Sequence, residues 1–190
     1  MTLVACLDTE TTGLVDPEHR IIEVYSDLLD LSTGRRIETI NQRINPKRSI
    51  SVDAQRVHGI AMSDLSGMPD WETFAPELHA HLGRGEVLVA HNAEFDIEFL
   101  NMEFKRVGLA PLTQPVFCTM NEGIWATSTG KRPSLQELCF ACGVAYDPAL
   151  AHAADYDVHC MEQCLVAGIN WGFYDLNALL SASQTSVVPS

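Results

Sequence analysis

Asp8-Thr9-Glu10-Thr11-Thr12-Gly13, preceded by the apolar run Leu3-Val4-Ala5-Cys6-Leu7, is the stretch that decides the fold. The run reads as a buried strand, and the polar residues as the turn that ends it. Alternation along a strand puts residues 8 and 10 on one face, so their carboxylates converge. Converging carboxylates repel each other unless a cation lies between them, and a hard divalent metal with oxygen ligands fits that place. Taken alone, the pair reads better as a solvated strand end.

Two further carboxylates reverse that balance. Val87-Leu88-Val89-Ala90 reads as a second buried strand, followed by His91-Asn92-Ala93-Glu94-Phe95-Asp96 and a helix from Glu94 to Val107. Helical spacing puts Asp96 on one stripe with Phe99, Leu100, Glu103 and Val107, facing the core, while Glu94 points roughly 200° away. The pattern recurs in His152-Ala153-Ala154-Asp155-Tyr156-Asp157, which opens a helix over 153–167. There Asp157 aligns with Cys160, Met161, Cys164 and Gly168, and Asp155 faces the other way. Asp8, Glu10, Asp96 and Asp157 thus each stand at the top of a core-facing element, where an unpaired charge is costly.

With Val57-His58-Gly59-Ile60 as a fourth block, the DTETTGL, HNAxFD and H-x4-D blocks resemble the DEDDh (DnaQ-like) 3′→5′ exonucleases, in the branch of proofreading subunits and ribonuclease T. The resemblance covers about residues 3 to 168. It implies an α/β, ribonuclease-H-like fold with a five-stranded mixed sheet flanked by helices. It further implies two Mg2+ or Mn2+ ions: Asp8 bridges both, Glu10 and Asp157 complete one site, and Asp96 serves the other. His152 matches the general base, a role suited to imidazole because it titrates near neutrality. By the same resemblance Thr11, Leu14, His58 and Phe95 line the pocket for the terminal nucleotide. One departure is Cys118, where many relatives carry Asp.

The implied activity is release of nucleoside 5′-monophosphates from single-stranded 3′ ends, with DNA ahead of RNA. RNA end trimming or degradation of short oligonucleotides is the alternative, and a non-catalytic scaffold ranks below both. A haloacid-type phosphatase needs Asp-x-Asp, whereas the second acid here is Glu10. Implied partners are nucleic acid 3′ ends, with a polymerase or other delivery partner, or a second copy in a homodimer.

Composition sets limits. Twelve basic residues against 25 acidic ones give a net charge of −13. Proteins that grip long nucleic acids carry a basic stripe, so a weak backbone grip is expected here. No run of about 18 apolar residues occurs, and the first residues do not resemble a signal peptide, so no membrane association and a cytoplasmic location are expected. Cys139-x2-Cys142 and Cys160-x3-Cys164 approach zinc-ribbon spacing. Ribbon cysteines sit on tight turns, however, whereas these fall within helices over 134–142 and 153–167, which sets a structural zinc aside.

The chain reads as one exonuclease domain over 1–180 and a flexible tail over 181–190. Strands are expected over 3–7, 21–29, 36–44, 87–90 and 115–118, with an irregular segment over 45–69. Helices are expected over 71–82 and 170–180 besides those already named. His91 and Asn92 read as residues that order their turn, and His19, His79, His81 and His159 show no partner pattern.

Overall fold

The computed structural model describes residues 2–185. Strands β1 (Leu3–Thr11), β2 (Ile21–Asp30) and β3 (Arg35–Arg43) form an antiparallel meander. Helices α1 (Val52–His58), α2 (Met62–Leu65) and α3 (Trp71–Leu82) follow. Then come β4 (Val87–Ala90), α4 (Ala93–Arg106), β5 (Val116–Cys118), α5 (Thr119–Glu122) and a 3-10 turn over Gly123–Ala126. Helices α6 (Leu135–Cys142), α7 (Ala154–Asn170) and α8 (Asn177–Thr185) complete the described chain. The sheet order is β3-β2-β1-β4-β5, with β4 and β5 parallel to the central β1. This is the expected five-stranded mixed sheet.

Strand alternation assigns the two faces. Ala5, Leu7, Leu88 and Ala90 point into a core with α3 and α4, formed with Trp71, Phe99 and Phe104. Val4, Cys6, Val87 and Val89 point the other way, onto Val158, Met161 and Leu165 of α7. Burial on both faces explains the unbroken apolar runs of β1 and β4. Edge strand β3 is mostly exposed and carries Arg35, Arg36, Glu38 and Arg43, charges that discourage pairing with another chain.

Three boundaries differ from expectation. Strand β1 runs on through Thr11, so Asp8 and Glu10 lie within the sheet rather than in a turn after it. The segment expected to be irregular holds α1 and α2. Ser51 caps α1 by accepting from the Ala54 amide (3.1 Å), and Gly59 ends it at φ 73°. No residue of α1 is buried, so it has no apolar periodicity to read. Finally, α7 continues to Asn170, and the helix expected over 170–180 begins only at Asn177 and runs to Thr185, inside the stretch expected to be a tail. Residues 186–190 lie outside the described ones.

The first connection is fastened to α4 by Glu103, whose side chain is fully buried. Its carboxylate meets Arg20 Nε (2.7 Å), Arg106 Nη1 (2.8 Å) and the Ile21 amide (3.2 Å). Removing one partner of a buried ion pair leaves the other charges stranded. Glu103→Ala is therefore expected to cost about 3 kcal/mol in urea unfolding, a low value for a buried pair because Arg20 and Arg106 retain some water. A loss below about 1 kcal/mol would show that the network contributes only as an exposed pair would.

All six cysteines are free thiols and buried. Cys139, Cys142, Cys160 and Cys164 meet between α6 and α7 in one apolar cluster, with Cys139 Sγ and Cys164 Sγ 3.6 Å apart.

Candidate active site

The alternation that builds the two cores also distributes the acids. Asp8 and Glu10 continue the face of Val4 and Cys6, toward α7, whereas Thr9 continues the face of Leu7, toward α4. Asp96 stands in the first turn of α4 and is 3% exposed. Its Oδ1 accepts from the Thr9 amide (3.0 Å) and from Thr9 Oγ1 (2.7 Å). Asp157 stands in the first turn of α7, where Oδ2 accepts from the His152 amide (3.1 Å). Helix N-termini favour both carboxylates.

These groups repel one another in a poorly hydrated place. Burial raises the Asp8 carboxyl well above the usual range, and Asp96, Glu10, Asp157 and Glu23 raise it further. Glu10 is pushed up to about 8 by burial, then by Glu23, Asp157 and Asp96. Burial lifts Asp96 to about 7 against the two Thr9 hydrogen bonds, and lifts Asp157 against the His152 amide. One atom is left over: Asp157 Oδ1 is buried and has no hydrogen-bond partner. An orphaned carboxylate oxygen beside three more carboxylates is a donor set for hard divalent cations. The residues present fit such ions, although among the described residues no group of three or more potential ligands stands in coordinating positions.

A carboxyl with a raised folded pKa binds more protons folded than unfolded, so its contribution to stability falls as pH rises. For Glu10 and Asp96 that loss runs from about pH 4, the unfolded value, to about 8 and about 7. In chelator, this contribution lowers the melting temperature between pH 5 and pH 8, and Mg2+ is expected to restore it more at pH 8. An Mg2+ shift equal at both pH values would contradict this electrostatic picture.

The nine residues expected from the sequence line one cleft of about 940 Å³. His152 is exposed at its rim, on the loop before α7, at φ 65°. A left-handed histidine is uncommon, and such conformations gather at functional sites. Its side chain does not cap α7, whose N-cap is Ala153. Leu14 is 81% exposed, and Phe95 is half-buried against Phe99, the ring centroids 5.0 Å apart. His58 Nδ1 accepts from the Ile60 amide (3.0 Å), while its Nε2 is buried and unpartnered. Thr11 Oγ1 donates to the Gly13 carbonyl (2.6 Å), which fixes the loop after β1.

Three neighbours escaped the sequence reading. Thr9 holds Asp96, but nothing distinguishes a threonine between two acids. Glu23 stands directly opposite Glu10 on β2; a charge inside Ile21-Ile22-Glu23-Val24 was the available signal. His19 lines the cleft and meets Thr12 Oγ1 through Nδ1 (2.9 Å). A Cβ at Gly13 would lie 2.2 Å from the His19 ring, so a larger residue there would displace the imidazole from Thr12. The other histidines without a sequence pattern also have partners: His79 the Ala110 carbonyl, His81 Ser26 and Glu38, His159 Tyr25. His91 and Asn92 shape the β4–α4 turn as expected, Asn92 at φ 79° and His91 Nδ1 at Thr119 Oγ1 (3.0 Å).

Residues 5–163 match a family model described as an exonuclease, RNase_T. The chain belongs to that family. Its relatives place this family member among the DnaQ-like 3′→5′ exonucleases. The DNA polymerase III epsilon subunit of Rickettsia typhi is 34% identical over 171 residues, 85% of this chain and 71% of the relative. That of Buchnera aphidicola is 30% identical over 81% of this chain and 69% of its own length. A PolC-type DNA polymerase III of Halalkalibacterium halodurans is 35% identical over 70% of this chain, but the match spans only 9% of that protein.

Among solved structures, exonuclease X in complex with 5′-overhanging duplex DNA aligns with a TM-score of 0.69 at 24% identity, covering 95% and 99% of the two chains. The zinc-bound Escherichia coli exonuclease I complex with single-stranded DNA gives 0.81 at 16%, covering 100% of this chain and 46% of that one. At these identities the likeness is one of fold, and the fold is ribonuclease-H-like. An RNase_T exonuclease is a phosphodiester hydrolase. No helix among the described residues is long and apolar enough to cross a membrane.

Proposed function

We propose that this exonuclease removes nucleoside 5′-monophosphates from single-stranded 3′ ends with two divalent ions, and that DNA is its preferred substrate. The observation that carries the reading is the convergence of four like-charged carboxylates, one with an orphaned oxygen, in a cleft that also holds His152. Asp8, Glu10 and Asp157 would hold one ion, and Asp8 with Asp96 the other; oxygen-only donors favour Mg2+ or Mn2+. Two such ions lower the pKa of an attacking water and offset charge on the leaving oxygen.

The remaining work falls to side chains. Thr9 aims Asp96, and the His152 amide aims Asp157. His152 takes the proton of the attacking water as its oxygen bonds to phosphorus. The bond from phosphorus to the 3′-oxygen breaks, and that oxygen takes a proton to become the new 3′-hydroxyl. Leu14 and Phe95 offer apolar surface to the terminal base or sugar, and His58 and Thr11 border the same space.

The DNA preference rests on relatives that are DNA polymerase III subunits. By the same likeness we assign the protein to the cytoplasm, with a polymerase or another delivery partner, or a second copy of itself, as candidate partners. RNA trimming is favoured by a different observation: no lysine or arginine lines the cleft among the described residues, which suits short ends more than long strands. Matched 5′-labelled DNA and RNA of several lengths separate the readings. Faster shortening of DNA is expected, and faster shortening of RNA, or of dinucleotides alone, would overturn the preference.

A further inference from the structure

Across the sheet, the registers place three charged residues in one row. Glu10 on β1 is opposite Glu23 on β2, and Glu23 is opposite Arg43 on β3. Directly opposed strand residues share a face at a Cα spacing of about 5 Å. All three therefore project toward the N-terminus of α7, where Asp157 stands. Arg43 Nε lies 2.7 Å from Glu23 Oε1, with the Glu23 side chain 10% and the Arg43 side chain 43% exposed. One end of the guanidinium is thus anchored beside Glu10 while the other reaches water.

Arg43 does not itself line the cleft, but its charge reaches a residue that does. His58, which lines the cleft, is held below its usual range by burial first, and the charges of His152 and Arg43 add to that. Asp64 and Asp155 also stand within the field of Arg43. No other ion pair of the described residues has its carboxylate opposite a member of the acidic set. Arg20 pairs beneath α4, Arg36 at the far end of β2 and β3, Lys47 with Asp70, Arg56 with Asp53, Arg84 with Glu38 and Lys131 with Glu137.

A nucleic acid strand brings several phosphates to this cleft, and the two ions can serve only the scissile one and its immediate oxygens. We propose that Arg43, held by Glu23, is a substrate-binding residue that contacts a phosphate of the strand other than the scissile one. The proposal rests on the exonuclease reading. A guanidinium with its Nε engaged keeps its terminal nitrogens for the paired contact that phosphate favours. Glu23 thereby acts as a positioning residue, setting Arg43 in place across the row.

Two substrates test the assignment. A 5′-labelled oligonucleotide carries phosphates beyond the scissile bond, whereas the 5′-p-nitrophenyl ester of thymidine monophosphate has a single phosphate and serves as the internal standard. For Arg43→Gln, the ratio of kcat/KM on oligonucleotide to kcat/KM on ester is expected to fall about five- to tenfold, mainly through KM. The salt slope of oligonucleotide binding, read by anisotropy in Ca2+, should fall by about 0.7 to 1. Arg43→Lys should recover part of the loss, and Arg56→Gln, which removes an equal charge from α1, should change the ratio less. An unchanged ratio and slope, or equal losses for Arg43→Gln and Arg56→Gln, would overturn the role. Wild-type protein that cleaves neither substrate would overturn the exonuclease reading itself, while the anisotropy slope would still decide whether Arg43 meets a phosphate.

Discussion

Asp8→Ala is expected to abolish hydrolysis, by at least about 10³-fold in kcat, while the protein stays folded. Asp8 stands between the other acids: Asp96, Glu10 and Asp157 all act on its carboxyl. It is the residue assigned to both ions, so its loss removes both sites at once. The same crowding makes a second, opposite effect. Without metal, Asp8 is a poorly hydrated acid among like charges, and Asp8→Asn removes that repulsion while keeping the shape of the side chain. The metal-free variant should therefore melt at a higher temperature than the metal-free wild type, and its gain on adding Mg2+ should shrink. Loss of activity with a lower melting temperature and an intact Mg2+ response would mean that Asp8 serves packing rather than metal binding.

His152→Ala is expected to lower kcat by about 10²- to 10⁴-fold, the range for a lost general base. Metal binding should persist, because the contact of this residue with the site acids is through its backbone amide. The replacement retains that amide, so Asp157 stays aimed. Mn2+ titration by calorimetry separates the two effects. Added imidazole should restore part of the rate. Retained turnover would assign His152 to the shape of its loop alone, a role its left-handed backbone makes a fair competitor.

Much of this site was legible because its residues sit where two periodicities end. Asp8 and Glu10 close an apolar strand run, and Asp96 and Asp157 open apolar helix stripes, so buried charge stands out against pattern. The same logic misplaced the end of β1. A strand that keeps its ladder with β2 as far as Thr11 can carry polar residues on both faces, and hydropathy then reads a turn. Helix α1 was invisible for the complementary reason: all its residues meet solvent or the cleft, and only the Ser51 and Gly59 caps mark it.

Register is what one chain's periodicity does not contain. Glu23 shows in the sequence only as a charge inside an apolar strand and Arg43 not at all, and the row Glu10-Glu23-Arg43 exists only once β1, β2 and β3 are aligned. Thr9 is a similar case, since its value lies in a contact with a residue on α4. The cysteines show the limit from the other side. They lie on helices, as their spacing implies, yet helical spacing on α6 and α7 still brings four thiols into one cluster.

One gel decides whether four carboxylates and His152 form a metal-dependent 3′ exonuclease site. A 5′-labelled single strand is incubated with Mg2+ or Mn2+ and either wild-type or Asp8→Ala protein. A ladder that shortens stepwise from the 3′ end is expected, present only with metal and only in the wild type. Full-length substrate with both metals, or the same ladder from Asp8→Ala, would contradict it.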